Sequence, residues 1–166
     1  MKRVLLLLIL FISLFSPFLY AETVMIFSID SWYTKERRMG EEYIIYAIED
    51  GLMDSLFDAG HIIYNDYADP LTIMDYTDRN RVSYRLARSG GASWLLELEI
   101  GYENEGEEIN SLPDRIGFRF TNILEDEVLR FGEYAVSDFI MNTTDSDRDI
   151  CKSIGIALAT MVNGIL

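Results

Sequence analysis

The stretch EEYIIYAIEDGLMDSLFDAGH, residues 41–61, predicts a long amphipathic helix followed at once by a strand. Apolar residues recur in it at steps of three and four, which places them on one helical face: Ile45, Ile48, Leu52, Leu56 and Ala59, widened by Ile44, Met53 and Phe57. The opposite face is acidic and carries Glu42, Glu49, Asp50, Asp54 and Asp58. Gly60 is placed to be a left-handed C-cap, and the apolar run at 61–64 predicts a strand. Helix, glycine stop and strand in this order form a building block of α/β folds.

The amino-terminal residues 1–21 have the features of a secretory signal peptide. Two basic residues precede an almost wholly apolar run at 4–15, and a short stretch after Pro17 ends at Ala21. The apolar run, about a dozen residues, is shorter than the ~20 that a membrane-spanning helix needs. We therefore expect cleavage before Glu22 rather than an uncleaved anchor.

The remaining residues, 22–166, have the length of one domain. Without the two basic residues of the leader, 12 of the 14 Lys and Arg remain against 28 Asp and Glu, a formal charge of −16. This charge repels nucleic acid and anionic lipid, so we expect neither as a partner, and no membrane insertion after signal cleavage. Cys151 is the single cysteine, which excludes an internal disulfide. An exported, acidic, disulfide-free domain is typical of a bacterial periplasm.

The patterns along the rest of the chain predict further strands and helices. The strands are expected near residues 23–29, 94–102, 116–121 and 128–136, and the helices near 78–89 and 147–165. The last three strands follow one another through turns, and we expect them to form a meander with Glu97 and Glu99 near Arg119. The predicted fold class is α/β (α+β). One domain over 22–166 has a single mixed sheet of about five strands with helices packed on it, in the order β-α-β-α-β-β-β-α.

Three stretches of this sequence resemble a group of bacterial envelope proteins. They are LMDSLFDAGHIIYN at 52–65, LARSGGASWLLELEI at 86–100, and residues 117–134. The group comprises the TolB amino-terminal domain, the CsgG-type curli-secretion proteins and the LpoB-type activators of penicillin-binding proteins. The paired strands of that group are usually joined by a threonine-glycine turn, whereas residues 124–127 contain no glycine. The resemblance implies an α/β accessory domain that binds other proteins or assembles, so a homo-oligomer is also open.

The sequence offers few residues for catalysis or metal binding. His61 and Cys151 would form a nucleophilic pair only if the fold brought them together with a third orienting group, and one of each is too few for a zinc site. The run at 145–149 has the aspartates of a calcium loop but lacks its glycine and its last glutamate, so helix capping by Ser146 or Thr144 explains it better. The acidic residues of 103–108 would at most bind a cation weakly. We predict no cofactor and no metal.

Three functions remain open on the sequence alone. No GxSxG elbow, HExxH helix or phosphate-binding glycine loop is present. Carboxylate pairs for glycoside hydrolysis depend on a separation in space that sequence does not supply. The leading hypothesis is a non-catalytic periplasmic accessory domain that binds an envelope protein partner. The alternatives are a solute- or glycan-binding domain and a small hydrolase.

The positive charges of residues 22–166 are unevenly distributed. Seven of the 12 basic residues lie in two clusters, of which the second comprises Arg79, Arg81, Arg85 and Arg88. The first cluster combines aromatic and basic residues of the kinds enriched in interface hot spots: Trp32, Tyr33, Lys35, Arg37 and Arg38. In an α/β unit, ligands usually meet the loop that follows a strand and precedes a helix. We therefore predict that the first cluster contacts the partner, and that the partner surface is acidic with a pocket for an aromatic ring.

Overall fold

The computed structural model describes residues 21–30, 42–65, 76–102, 112–139 and 146–166. The predicted leader lies outside the described residues, apart from Ala21. Among the described helices, none has the length and apolar character needed to cross a membrane.

Within the described residues, five strands and three α-helices follow one another in the predicted order β-α-β-α-β-β-β-α. The strands are β1 Thr23–Asp30, β2 Ile62–Asn65, β3 Trp94–Gly101, β4 Arg115–Asn122 and β5 Glu127–Ala135. The helices are α1 Glu42–Asp58, α2 Tyr76–Ser89 and α3 Asp147–Asn163, and a 3-10 turn Val136–Phe139 follows β5. The predicted fold class is confirmed.

The five strands form one mixed sheet in the order β2-β1-β3-β4-β5. β1 pairs in parallel with both β2 and β3, while β3, β4 and β5 form the predicted antiparallel meander. The two parallel pairings need helical crossovers, and α1 and α2 supply them. The connection from β2 to β3 passes over β1, so β1 lies at the centre of the parallel part of the sheet.

The sheet is covered on both faces, which we name by their helices. On the α1/α3 face, Ile26, Leu98 and Phe120 belong to a large core that includes Leu52 and Leu158. On the α2 face, a smaller core contains Met25, Phe27, Ala87, Leu95 and Ile123. Because successive residues of a strand point to opposite faces, β1 contributes side chains to both cores. This explains why its sequence is continuously apolar.

Both joints from a helix to the next strand are Schellman motifs. Gly60 has a φ of +96°, and the N–H groups of Gly60 and His61 donate to the carbonyls of Phe57 and Leu56. Gly91 has a φ of +76° and repeats the arrangement at the end of α2. A left-handed residue at this position costs least when it is glycine. The glycine stop predicted after α1 is confirmed.

The turn between β4 and β5 also contains a residue with a positive φ, but that residue is not a glycine. Asp126 has a φ of +55°, a region that aspartate tolerates better than most residues. The Asn122 side-chain oxygen accepts hydrogen bonds from the N–H groups of Leu124 and Glu125, which closes the turn.

The buried face of α1 is wider than the predicted stripe because α1 packs on both the sheet and α3. Leu52 and Leu56 are buried as predicted, and Ala47 joins them. Two predictions for α1 were wrong. Phe57, placed in the apolar stripe, is 71% exposed, and Glu49, placed on the wet face, is only 2% exposed. Glu49 is buried beside the end of β2, where its Oε2 accepts a hydrogen bond from Asn65 Nδ2 at 3.1 Å.

Helices α1 and α3 cross in direct backbone contact. A Cβ atom added to Gly155 would overlap the Ile48 carbonyl oxygen, and one added to Gly51 would overlap the Lys152 carbonyl oxygen. Two exposed ion pairs also join the helices, Asp54 to Lys152 at 2.9 Å and Asp50 to Arg148 at 3.8 Å. Exposed pairs contribute little, about 0–1 kcal/mol each, so the glycine crossing defines this contact.

The burial of α2 and the start of α3 are closer to what the sequence predicts. Among the described side chains of α2, Ser83 and Ala87 are fully buried, whereas the larger Val82 and Leu86 are half-buried. Small residues at the centre let the helix lie close to the sheet. Helix α3 begins as predicted after Ser146, whose Oγ accepts a hydrogen bond from the N–H of Asp149.

Candidate functional site

The predicted partner-binding residues Trp32, Tyr33, Lys35, Arg37 and Arg38 lie outside the described residues. The structure describes the two elements that flank them. β1 ends at Asp30 and α1 begins at Glu42, so the intervening segment leaves the carboxyl end of the central parallel strand. That is the position on which the prediction was based, and the prediction itself is untested.

Three polar side chains near this carboxyl edge are relevant among the described residues: Glu49, Asn65 and Ser28. The carboxylate of Glu49 is buried and bonded to Asn65, the last residue of β2. Near the end of β1, the Oγ of Ser28 is buried and has no hydrogen-bond partner within the described part of the chain. Glu49 and Ser28 lie on the α1/α3 face, and the hydrogen bond between Asn65 and Glu49 connects α1 to β2.

His61 and Cys151 do not form a catalytic pair. Nε2 of His61 lies 3.0 Å from Oδ1 of Asn163, the last residue of α3. Cys151 is in the first turn of the same helix, about 18 Å away at 1.5 Å per residue. Cys151 is also buried, and burial, reinforced by the charge of Asp147, raises the pKa of its thiol to about 12. The thiol is therefore protonated and inert at neutral pH.

A polar network crosses the α2 face of the sheet. Oγ of Ser83 donates to Oε1 of Glu97 at 2.7 Å, and Nη1 of Arg119 lies 3.9 Å from Oε2 of Glu97. The sequence-based placement of Glu97 near Arg119 is confirmed. Because Ser83 is on α2, the network ties this helix to β3 and β4.

The second predicted basic cluster lies on α2. Arg85 and Arg88 are exposed, while the side chains of Arg79 and Arg81 lie outside the described residues. Arg88 is close enough to Tyr84 to act on its pKa, which burial and the neighbouring Asp126 raise. Tyr84 also donates to the Ile123 carbonyl at 3.1 Å. Tyr84 therefore connects α2 to the turn between β4 and β5.

No metal site is found in the part of the chain that the structure describes. There, no three His, Cys, Asp or Glu residues come together in a way that could hold an ion. The acidic segment 103–108 lies outside that part.

Among the described residues, the two most exposed large apolar side chains lie on β5 and the turn before it, and β5 carries two further exposed apolar residues. Leu124 is 81% exposed, Phe131 77%, Val128 48% and Leu129 38%. We call these four residues the β5 surface. β5 is the last strand of the sheet, and all of its residues except Tyr134 are exposed. A strand at the edge of a sheet presents backbone N–H and C=O groups that can pair with another chain.

The sequence predicted β5 but not the exposure of its apolar residues. The sequence did contain a sign of this exposure. Apolar and polar residues do not alternate regularly in this segment, and charged residues occur at every third position, Glu127, Arg130 and Glu133. Such charges are typical of edge strands. They could have marked the position of β5 in the sheet before its neighbours were known.

The turn before β5 and the carboxyl end of β1 lie at opposite ends of the sheet. The Ile123 N–H donates to the carbonyl of Ser93, whose own N–H donates to the carbonyl of Thr23 at the start of β1. The turn before β5 therefore adjoins the amino ends of β1 and β3. The predicted partner-binding residues follow the carboxyl end of β1 along the chain, so the β5 surface is a second candidate made of other residues.

Comparison with known proteins bears on the fold alone. No family model and no curated protein matches the chain. Among solved structures, the hypothetical protein CT253 from Chlamydia trachomatis is similar over 87% of this chain and 97% of its own, with a TM-score of 0.50 and 11% identity. A PelC dodecamer from Paraburkholderia phytofirmans is similar over 84% and 86%, with a TM-score of 0.47 and 14% identity.

A TolB structure from Acinetobacter baumannii is also among the neighbours. It matches over 86% of this chain and 27% of its own, with a TM-score of 0.41 and 8% identity. Membership of the group that the sequence resembles stays a prediction.

Proposed function

We propose that this protein is an exported, non-catalytic domain of the bacterial envelope that works by binding a protein. The observation that carries the proposal is the β5 surface. Large apolar side chains that lie together in water commonly mark a contact site for another macromolecule. Here they lie on an edge strand that can also offer backbone hydrogen bonds.

The location rests on the predicted signal peptide and on composition. A leader at 1–21 directs export, and a chain with one buried cysteine needs no oxidising chemistry to fold. The CT253 structure agrees with a small α/β domain of this kind at the level of fold.

A catalytic role has less support among the described residues. The cysteine is buried with a raised pKa, the histidine contacts an asparagine, and the buried Glu49 bonds to a neighbouring strand. These contacts join elements of the fold to one another. Such contacts are typical of side chains that have a structural role.

The experiment is site-specific photocrosslinking in bacteria that export the protein. A photoreactive phenylalanine analogue replaces Phe131 on the β5 surface, or Phe57 on α1. Phe57 is the matched control, because it is a phenylalanine of similar exposure, 71% against 77%, on the opposite face of the molecule. We expect a crosslinked protein species from position 131 and none from position 57.

A third position separates the two candidate surfaces. The same analogue at Trp32 tests the predicted segment at 31–41. Crosslinks from 32 alone would keep a protein-binding function but assign it to the segment between β1 and α1. No crosslinked species from either 131 or 32 would refute the proposed function.

A further inference from the structure

We propose that the partner at β5 is a second copy of this chain, which pairs with it in antiparallel fashion about a twofold axis. This inference rests on the proposed function, since it names the protein that the β5 surface contacts. It comes from an irregularity in the pairing of β4 with β5 and from the charges around that irregularity.

A β-bulge lies near the start of β5. Phe120 pairs with Arg130 and Thr121 with Val128, so Leu129 has no partner in the ladder. A regular strand would put residues three apart on opposite faces. The extra residue cancels that alternation. Glu127, which pairs with Asn122, therefore shares the α1/α3 face of the sheet with Arg130, which pairs with Phe120.

The bulge makes the segment EVLR at 127–130 complementary to itself. When two copies run antiparallel, Glu127 of each lies across from Arg130 of the other, and Val128 lies across from Leu129. Both opposite charges fall on one face of the continuous sheet, and the apolar pair falls between them. A twofold interface requires this reciprocity, in which residue i meets j and j meets i. Opposite charges and apolar residues that face each other across strands stabilise the pairing.

The neighbouring charges favour this register over others. Glu133 cannot replace Glu127 as the partner of Arg130, because it lies across from Gly117 on the α2 face and pairs with Arg115 at 3.7 Å. If the twofold axis passed through Arg130, the Arg130 side chains of the two copies would face each other. Like charges that face each other across strands destabilise a sheet. In the proposed register, Phe131 of one copy lies beside the turn of the other, where Leu124 is exposed.

Charge also explains why the contact needs a specific register. The chain is strongly acidic, with a formal charge of −14 before removal of the leader. Two such chains repel one another at long range, so self-association requires local pairs of opposite sign. The EVLR segment supplies two of them in each dimer.

The test is sedimentation velocity of the exported protein across a range of concentrations, with charge-reversal variants. We expect a concentration-dependent dimer. Glu127→Arg places two arginines across from each other, and Arg130→Glu places two glutamates there, so each should weaken the dimer at least tenfold. The double variant restores opposite pairs and should dimerise like the natural protein.

The two single variants also provide an internal control for folding. In a heterodimer of E127R with R130E, an arginine of the first chain faces a glutamate of the second at both charged positions. The mixture should therefore associate although neither variant does so alone. Asp58→Arg, an exposed charge reversal on α1, should leave the dimer unchanged.

Two results would overturn the proposal. One is a protein that stays monomeric at the highest concentration, and the other is a dimer that both single reversals leave intact. If a monomeric protein still crosslinks from position 131 to a different protein, the proposed function stands and only the second copy is excluded.

Discussion

Replacing Gly155 with alanine tests the closest contact in the fold, the crossing of α1 and α3. The new Cβ would overlap the Ile48 carbonyl oxygen and lie 2.8 Å from the backbone nitrogen of Leu52. These atoms belong to the backbone of α1, so no side-chain rotation can relieve the overlap. The two helices must move apart, and the apolar contacts around the crossing weaken with them.

The expected magnitude follows from two opposing effects. Alanine is favoured over glycine inside a helix by about 1 kcal/mol. Overpacking a tight interior costs about 1–3 kcal/mol, and a clash with backbone belongs at the upper end. The free energy of unfolding of Gly155→Ala should therefore fall by about 2 kcal/mol relative to the natural protein. At about 4 °C per kcal/mol for a domain of this size, the Tm should fall by about 8 °C.

Urea and thermal unfolding followed by circular dichroism measure this loss. The matched control is Gly164→Ala at the end of α3. Gly164 has an ordinary helical φ of −73°, and the nearest atom to its added Cβ would be 3.5 Å away. That variant should be neutral. If Gly155→Ala were as stable as Gly164→Ala or more so, the helices would not be in backbone contact and this account of their packing would be wrong.

Three further predictions address the core, the thiol and a helix cap. Leu52→Ala should lower the free energy of unfolding by ~2–5 kcal/mol, because Leu52 is fully buried in the core on the α1/α3 face; a midpoint in urea that hardly moves would contradict this. Cys151 should resist a thiol reagent at pH 8 until the protein unfolds, and a reaction as fast as in the urea-unfolded chain would contradict its burial. Because the folded pKa of this thiol, about 12, lies above its unfolded value of ~8.5, the unfolded chain loses the proton first. The contribution of the thiol to stability is thus complete below about pH 8.5 and decreases between that pH and about 12, and Cys151→Ala should lessen the alkaline loss measured by urea titration. Ser146→Ala should cost ~1 kcal/mol by removing the cap of α3, as thermal unfolding would show, whereas Ser153→Ala in the same helix should change little.

The order of elements and the sites of their joints could be predicted from the sequence because these features are local. A period of 3.6 in α1, a period of two in β3 and β4, and glycine at residues 60 and 91 each depend on residues close in the chain. The boundaries of β1 and β3 came within a residue or two for the same reason. Even the placement of Glu97 near Arg119 needed only a hairpin, in which the turn aligns two neighbouring strands.

The candidate sites depend on contacts between distant parts of the chain, and those only the tertiary structure decided. The apolar pattern of α1 could not predict that a second helix would pack against it through Gly51 and Gly155. Glu49 was therefore assigned to the exposed face and Phe57 to the buried face, both wrongly. The sequence of β5 did not reveal that β4 would be its one neighbour among the described strands, nor that a bulge would bring Glu127 and Arg130 to one face. Helical and strand periods follow from the geometry of a single backbone, whereas burial and exposure follow from what covers each face. Covering partners such as α3 lie about a hundred residues away along the chain, and their positions are set by packing as a whole.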